Sequence, residues 1–576
     1  MDEEHEEQNY DRQRMIAAAQ SSTIEDYLES LPYNLGDEAW DALVSDAAEA
    51  HLAGEVDLLE ALTRDAPGRT RYQVQQFIEK VIVRLNLELP VTVAWVASLT
   101  AREPDGEPSH FVLNGFAAWA RSDPERPFEA MEAIRTGLAP DHLLRPSLMT
   151  GLTVDRERIF EGAVEMVRTG TDKEREIAAG VLGSATDLSR DERNLIVTVL
   201  ENDLRIAKGE SIVPPLRALL RIALRAPVDN RLGSRTLRAV ARQSDASVRE
   251  TVATELMFEL KKASPAFATQ GMALLRDVER DEFGAIDAID HIVVDALDGP
   301  SSGSAGELLD HILERGVATM EKLDSVTRAL LTGKASTREE TVRRWLTSPR
   351  LSHFDAVVDL CQGVGEKSPR FDIDFSGVSR SVAERTAKRC CAMMMVFPET
   401  VASIMASLLR TGPPEAFPAV EELLFDPLLV TYWDGPKKYL ASLLPKAPRH
   451  MAAVIERAFA RHDAYAKAVW AVTDVPELRP SEHHRFLNET KRRDEGRAIA
   501  KAAQKQSFLA DLFPTSVMLY GDAAIFQMHV EPGKTVRQEA QLASHEFSHE
   551  LPRLDVIDPF GSWYRRRNLL RGEDDA

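Results

Sequence analysis

Cysteine is scarce. Three residues in 576, Cys361, Cys390 and Cys391, cannot build a disulfide framework. Two of them are adjacent in the apolar run CCAMMMVF, where thiols pack as small hydrophobes, so a reducing, cytoplasmic setting is expected. Aromatics supply only 6% of a chain that is 44% hydrophobic, which describes the many small Ala, Leu and Val contacts of helices packed on helices. No apolar run approaches the ~18 residues that span a bilayer; VAWVASL (93–99) is among the longest. The acidic start MDEEHEEQNY, with no apolar stretch behind it, leads us to expect no secretory signal. A net charge of −22 repels polyanions unless a basic face is segregated from the bulk. The chain also shows no glycine-rich phosphate loop behind a strand, and no GxSxG, CxxC or paired-carboxylate setting in a recognisable catalytic context.

What is there is helix. The length exceeds what one compact core supports, so the chain is either several domains or a repeat array. From about residue 24 to 480, amphipathic stretches alternate with Pro, Gly or Asp breaks, and strand-like alternation is almost absent. In DEAWDALVSDAAEAHLAG (37–54), Asp37 is the expected N-cap, Trp40, Leu43, Val44 and Ala47 share a face, and Gly54 stops the helix. Gly/Ser-rich GPSSGSAGE (299–307) and SPRFDIDFSGVSRS (368–381) interrupt the pattern as candidate hinges. The expected organisation is an acidic segment 1–23, helical repeats over 24–300 and 301–480, and a C-terminal module over 481–576.

Three segments align without gaps: REIAAGVL (175–182), RALLRIAL (217–224) and RETVATEL (249–256). Each leads with Arg and places apolar residues at the fourth and eighth positions: Ala178 and Leu182, Leu220 and Leu224, Val252 and Leu256. The Arg-to-Arg intervals of 42 and 32 residues fit a two-helix repeat. With Asp172 and Asp245 just upstream of two of them, the segments resemble the second helices of HEAT-type repeats, of the HEAT/armadillo class. The resemblance is good over 155–265 and implies an all-α superhelical solenoid. It further implies that Asp172, Asp245, Arg175, Arg217 and Arg249 form a polar ladder in the turns.

Past residue 480 the pattern changes. TSVMLYGDAAIFQMHVEPGK (515–534) reads as a β-hairpin around Gly521-Asp522, closed by Pro532-Gly533, and a helix is expected from about Thr535 to Leu551. That helix would carry His545-Glu546-Phe547-Ser548-His549, the spacing that sets two zinc ligands and a general base on one face. The match resembles zinc peptidases. It would make His545, His549 and Asp555 the ligands and Glu546 the base, although Pro552 stands where the peptidase pattern has a turning glycine. Basic residues concentrate here too: Lys491, Arg492 and Arg493 lie in a stretch with seven Lys or Arg against three acids (485–505), and Arg565, Arg566 and Arg567 follow. Residues 481–576 hold 14 basic and 15 acidic side chains, a net of −1, which leaves −21 on the first 480.

The expectation is a non-catalytic helical scaffold that binds a partner protein within a larger assembly, with Ala/Arg/Asp-rich usage pointing to a bacterial source. A zinc-dependent peptidase, and a nucleic-acid or phosphate-ligand binder working through the basic C-terminal segments, are the alternatives.

Overall fold

A computed structural model describes residues 11–21, 23–31, 36–63, 72–101, 109–225, 230–241, 245–362, 369–472, 480–506, 516–518, 523–531, 534–541 and 552–571. The chain divides into two compact units, Met1–Thr337 and Arg338–Ala576.

In the first unit the helices are α1 Arg12–Gln20, α2 Ile24–Ser30, α3 Asp37–Leu52, α4 Leu58–Ala61, α5 Tyr72–Leu85, α6 Leu89–Ala101, α7 His110–Arg121, α8 Arg126–Arg135, α9 Leu144–Val154 and α10 Arg156–Thr169. They continue with α11 Asp172–Ser184, α12 Arg190–Ile206, α13 Val213–Arg225, α14 Asn230–Val240, α15 Ala246–Glu259, α16 Pro265–Leu274, α17 Phe283–Ala296, α18 Ser302–Glu314 and α19 Asp324–Thr332. Odd-numbered helices pack each on the next, from α1 to α19, in one unbroken row. Even-numbered helices lie behind them, with α10 on α12, α14 on α16 and α16 on α18. These are helical repeats, each pair completing its core only against its neighbours.

The three Arg-led segments fall in α11, α13 and α15, which are consecutive members of that row. Their paired apolar positions, Ala178, Leu182, Leu220, Leu224, Val252 and Leu256, are all 2% exposed or less. Two details differ from expectation. Asp37 is the first helical residue of α3 and Gly36 its N-cap, while Gly54 ends the turn with φ +73°. The Gly/Ser-rich stretch is largely helical, because Ser302 already begins α18.

Close approach within the row depends on small side chains. A Cβ at Gly183 of α11 would lie 2.5 Å from Cα and 2.7 Å from Cβ of Ala218 in α13, so the helices would have to part. Gly180, three residues earlier, has nothing within 4 Å of the same construction. Gly183→Ala is therefore expected to destabilise by about 1–3 kcal/mol through overpacking. Gly180→Ala should raise stability by about 0.5–1 kcal/mol through helix propensity. Thermal unfolding of the two variants checks this, and equal behaviour would contradict the packing argument.

The second unit takes up α20 Ala335–Thr347 from Arg338 onward, then α21 Leu351–Gln362, α22 Arg380–Met393, α23 Pro398–Thr411, α24 Phe417–Leu423, α25 Gly435–Leu443, α26 Arg449–Ala471 and α27 Glu482–Gln506. The C-terminal helices are α28 Arg553–Ile557 and α29 Pro559–Leu569. α22 packs on α24, α24 on α26, α23 on α25, and α29 returns to α22. The last carbonyls of α20 and the two that follow it are capped from α22: Thr386 Oγ1 donates to Leu346 O (3.0 Å), Arg385 to Thr347 O (3.0 Å), and Arg389 to Ser348 O and Pro349 O (both 2.8 Å). Cys390 and Cys391 are fully buried and Cys361 nearly so; burial pushes the Cys361 thiol up to about 12 and the other two far above the ordinary thiol range.

Strands β1 Ser516–Met518, β2 Ala523–Glu531 and β3 Lys534–Gln541 form an antiparallel sheet in the order β1-β2-β3, with Val517 opposite Ile525 and Met528 opposite Val536. The helix expected from Thr535 is thus corrected over 535–541, where the backbone pairs with β2 instead. Cross-strand pairing outweighs the local helical signal there.

Candidate functional site

A concavity of about 680 Å³ in the first unit lies across α9, α11, α12 and α13. Local sequence builds its rim. Thr171 caps α11 in a capping box: its hydroxyl accepts from Glu174 N (3.3 Å) and its N–H donates to Glu174 Oε2 (2.7 Å). That start places Asp172, Lys173 and Arg175 on the first turn, facing the groove. Pro214 and Pro215 stand in the first turn of α13, where the missing N–H is harmless, and Arg217 and Arg221 follow one turn apart on the same face. Arg145 of α9 adds a further cation to a lining that also holds the acids Asp172, Glu176, Asp203 and Glu210.

The arginines expected to form a ladder do join neighbouring helices, through different acids. Arg175 is hydrogen-bonded to the buried Asp203 of α12, with Asp172 at 3.5 Å. Arg221 grips the buried Glu255 of α15 through its Nε at 2.9 and 3.1 Å, and Arg217 stands 3.5 Å from the same carboxylate. Arg249 pairs with Glu282, and the two side chains are 10% and 8% exposed. Asp245 instead caps α15, accepting from Val248 N at 3.0 Å. The acids that hold the ladder are therefore Asp203, Glu255 and Glu282.

Not every cation at the groove is held this way. Among the described residues Arg145 and Lys173 have no ion-pair partner, and Arg217 is 44% exposed with only its long contact to Glu255. The field is felt nearby: burial first, then the Lys173 ammonium, lowers the His142 pKa, against the opposing charge of Asp141. Arg221 could have been anticipated from its spacing to Arg217. Arg145 and Lys173 carried no comparable sequence signal.

The site residues expected in the C-terminal module are described only in part. His545, Glu546 and His549 lie outside the described residues. Asp555 accepts a hydrogen bond from Ser562 Oγ and lies 3.3 Å from Arg566. Lys491, Arg492 and Arg493 are exposed on α27, where Lys491 faces Glu495 at 3.8 Å and Arg493 hydrogen-bonds Glu489 at 3.1 Å. Arg565 stands 3.6 Å from Asp426, and Arg567 lies over the Trp563 ring at 5.4 Å. No helix among the described residues is long and apolar enough to cross a membrane.

No family model and no curated protein matches the chain. Among solved structures, one from work on a phosphorylation switch controlling the interaction between cadherin and beta-catenin aligns at 13% identity and TM-score 0.23, covering 78% of this chain and 96% of that one. An engineered protein aligns at 14% identity and TM-score 0.18, covering 79% and 99%. At those scores the likeness adds nothing to the fold read from helix packing.

Proposed function

We propose that this chain is a HEAT/armadillo-type scaffold that binds a segment of a partner protein in the groove across α9, α11 and α13. The supporting observation is the charged lining of that groove: Arg145, Lys173 and Arg217 come from three consecutive helices of one row, with donors only partly engaged within the chain, and the exposed Glu176 and Glu210 stand among them as acceptors. Exposed guanidinium and ammonium groups one repeat apart suit the carbonyls and carboxylates of an extended polypeptide. Pro214 and Val213 add apolar floor. Such a surface is how a repeat array presents a large recognition area without a large core.

Capture of interacting proteins on the immobilised chain, compared with an Arg145→Glu, Lys173→Glu, Arg217→Glu variant, tests this reading. Recovery of the partner should fall at least about tenfold, the effect of losing roughly 1.4 kcal/mol of contacts, while circular dichroism stays unchanged. A partner recovered equally by the variant would remove the groove from the reading.

A further inference from the structure

The C-terminal helices enclose a second cavity, of about 220 Å³, against the turn that kinks at Asp426. Its apolar wall is Met395, Pro427, Leu554 and Leu569, and its charged groups come in balance: Asp426 and Asp555, Arg565 and Arg566. The Asp426 side chain lines the cavity and is 39% exposed, and the nearest guanidinium nitrogen, on Arg565, stops 3.6 Å away, beyond hydrogen-bond distance. Arg566 stands 3.3 Å from Asp555, whose other oxygen is taken by the Ser562 hydroxyl. Neither guanidinium donates a hydrogen bond to a described residue, so both keep donors for a ligand.

A plain anion in this cavity would sit against two carboxylates, Asp426 and Asp555. A plain cation would meet two guanidiniums. A ligand carrying both charges satisfies both ends, and the apolar wall gives its side chain a place. We propose that the cavity binds a small zwitterion, an aliphatic α-amino acid. Its ammonium donates to Asp426, its carboxylate accepts from Arg565 and Arg566, and its side chain lies against Met395, Leu554 and Leu569. The assignment is independent of the groove on the first unit.

Calorimetric titration of the full chain with L-leucine, leucinamide, isocaproate and a leucyl dipeptide tests it. Leucine should bind, and removing either charge should weaken binding at least about tenfold, as expected for charge-assisted hydrogen bonds. The dipeptide separates the two charges and should bind as poorly as the singly charged analogues; if it matched leucine, the ligand would be a peptide terminus and the free-amino-acid assignment would fall. Leu569→Trp fills the cavity without touching a charged group and should abolish binding with the helical signal intact. The proposal is overturned if leucine at millimolar concentration does not bind, if leucine, leucinamide and isocaproate bind alike, or if Leu569→Trp binds as the native chain does.

Discussion

Replacing Arg249 with leucine should destabilise the first unit by about 3–5 kcal/mol, because it strands a buried charge. Glu282 is 8% exposed and its carboxylate takes both Nε and Nη2 of Arg249, the former at 2.9 Å. That hydrogen bonding is the leading cause of the raised Arg249 pKa, outweighing burial, which opposes it. The pair ties α15 to the start of α17, since Glu282 is the N-cap residue of α17. The same change beside Glu282→Leu should recover most of the loss, because two apolar side chains can replace a buried ion pair at little net cost. Equilibrium urea denaturation of the two single variants and the double variant measures the coupling. A single variant as stable as the native chain would mean that Glu282 finds water or another cation and that the pair does not join the repeats.

This pair also shows what the sequence could disclose. The apolar positions of the Arg-led segments were legible because helical periodicity is local: Val252 and Leu256 need only each other's spacing to declare a buried face. The partner of Arg249 was not, because Glu282 lies 33 residues away and is brought close only by how α15 stacks on α17. The repeat resemblance places Asp245 in the ladder, but its position just before a helix start equally fits a cap, and the cap is what it forms. In the C-terminal module, the apolar spacing after Thr535 favoured helix, and pairing with β2, a contact outside the local window, decided for strand over 534–541. The groove was legible only through Asp172, Arg175 and Arg217; Arg145 and Lys173 joined them through packing alone.

The stretch RFDIDF, which interrupts the helical pattern, is a structural strap. Phe371, Ile373 and Phe375 are 2% exposed or less, while Asp372 and Asp374 are exposed, so the segment has the two-residue alternation of a strand. Among the described residues its backbone pairs with no strand. Hydroxyls on α23 take that place: Ser403 accepts from Phe371 N (3.0 Å), Ser407 from Ile373 N (3.2 Å) and Thr411 from Phe375 N (2.8 Å). The match is geometric, since two extended residues advance about 6.6 Å and four helical residues about 6.0 Å. Each hydroxyl proton is directed to the helix's own carbonyls, as Ser403 to Thr400 O (2.7 Å) and Ser407 to Ser403 O (3.0 Å), which leaves lone pairs for the strap.

Removing two of these acceptors, Ser403→Ala with Ser407→Ala, strands two N–H groups in a buried setting and should destabilise the second unit by about 2–5 kcal/mol. Amide exchange at Phe371 and Ile373 should accelerate first, because their acceptors are the ones lost. Ser98→Ala is the control: that hydroxyl bonds only Ala94 O of its own helix (2.9 Å) and is exposed, so the change should fall within about 0.5 kcal/mol of native. Should the double variant match the control in denaturation and in exchange, the hydroxyls would be incidental, and the burial of Phe371, Ile373 and Phe375 alone would be what fastens the strap to α23.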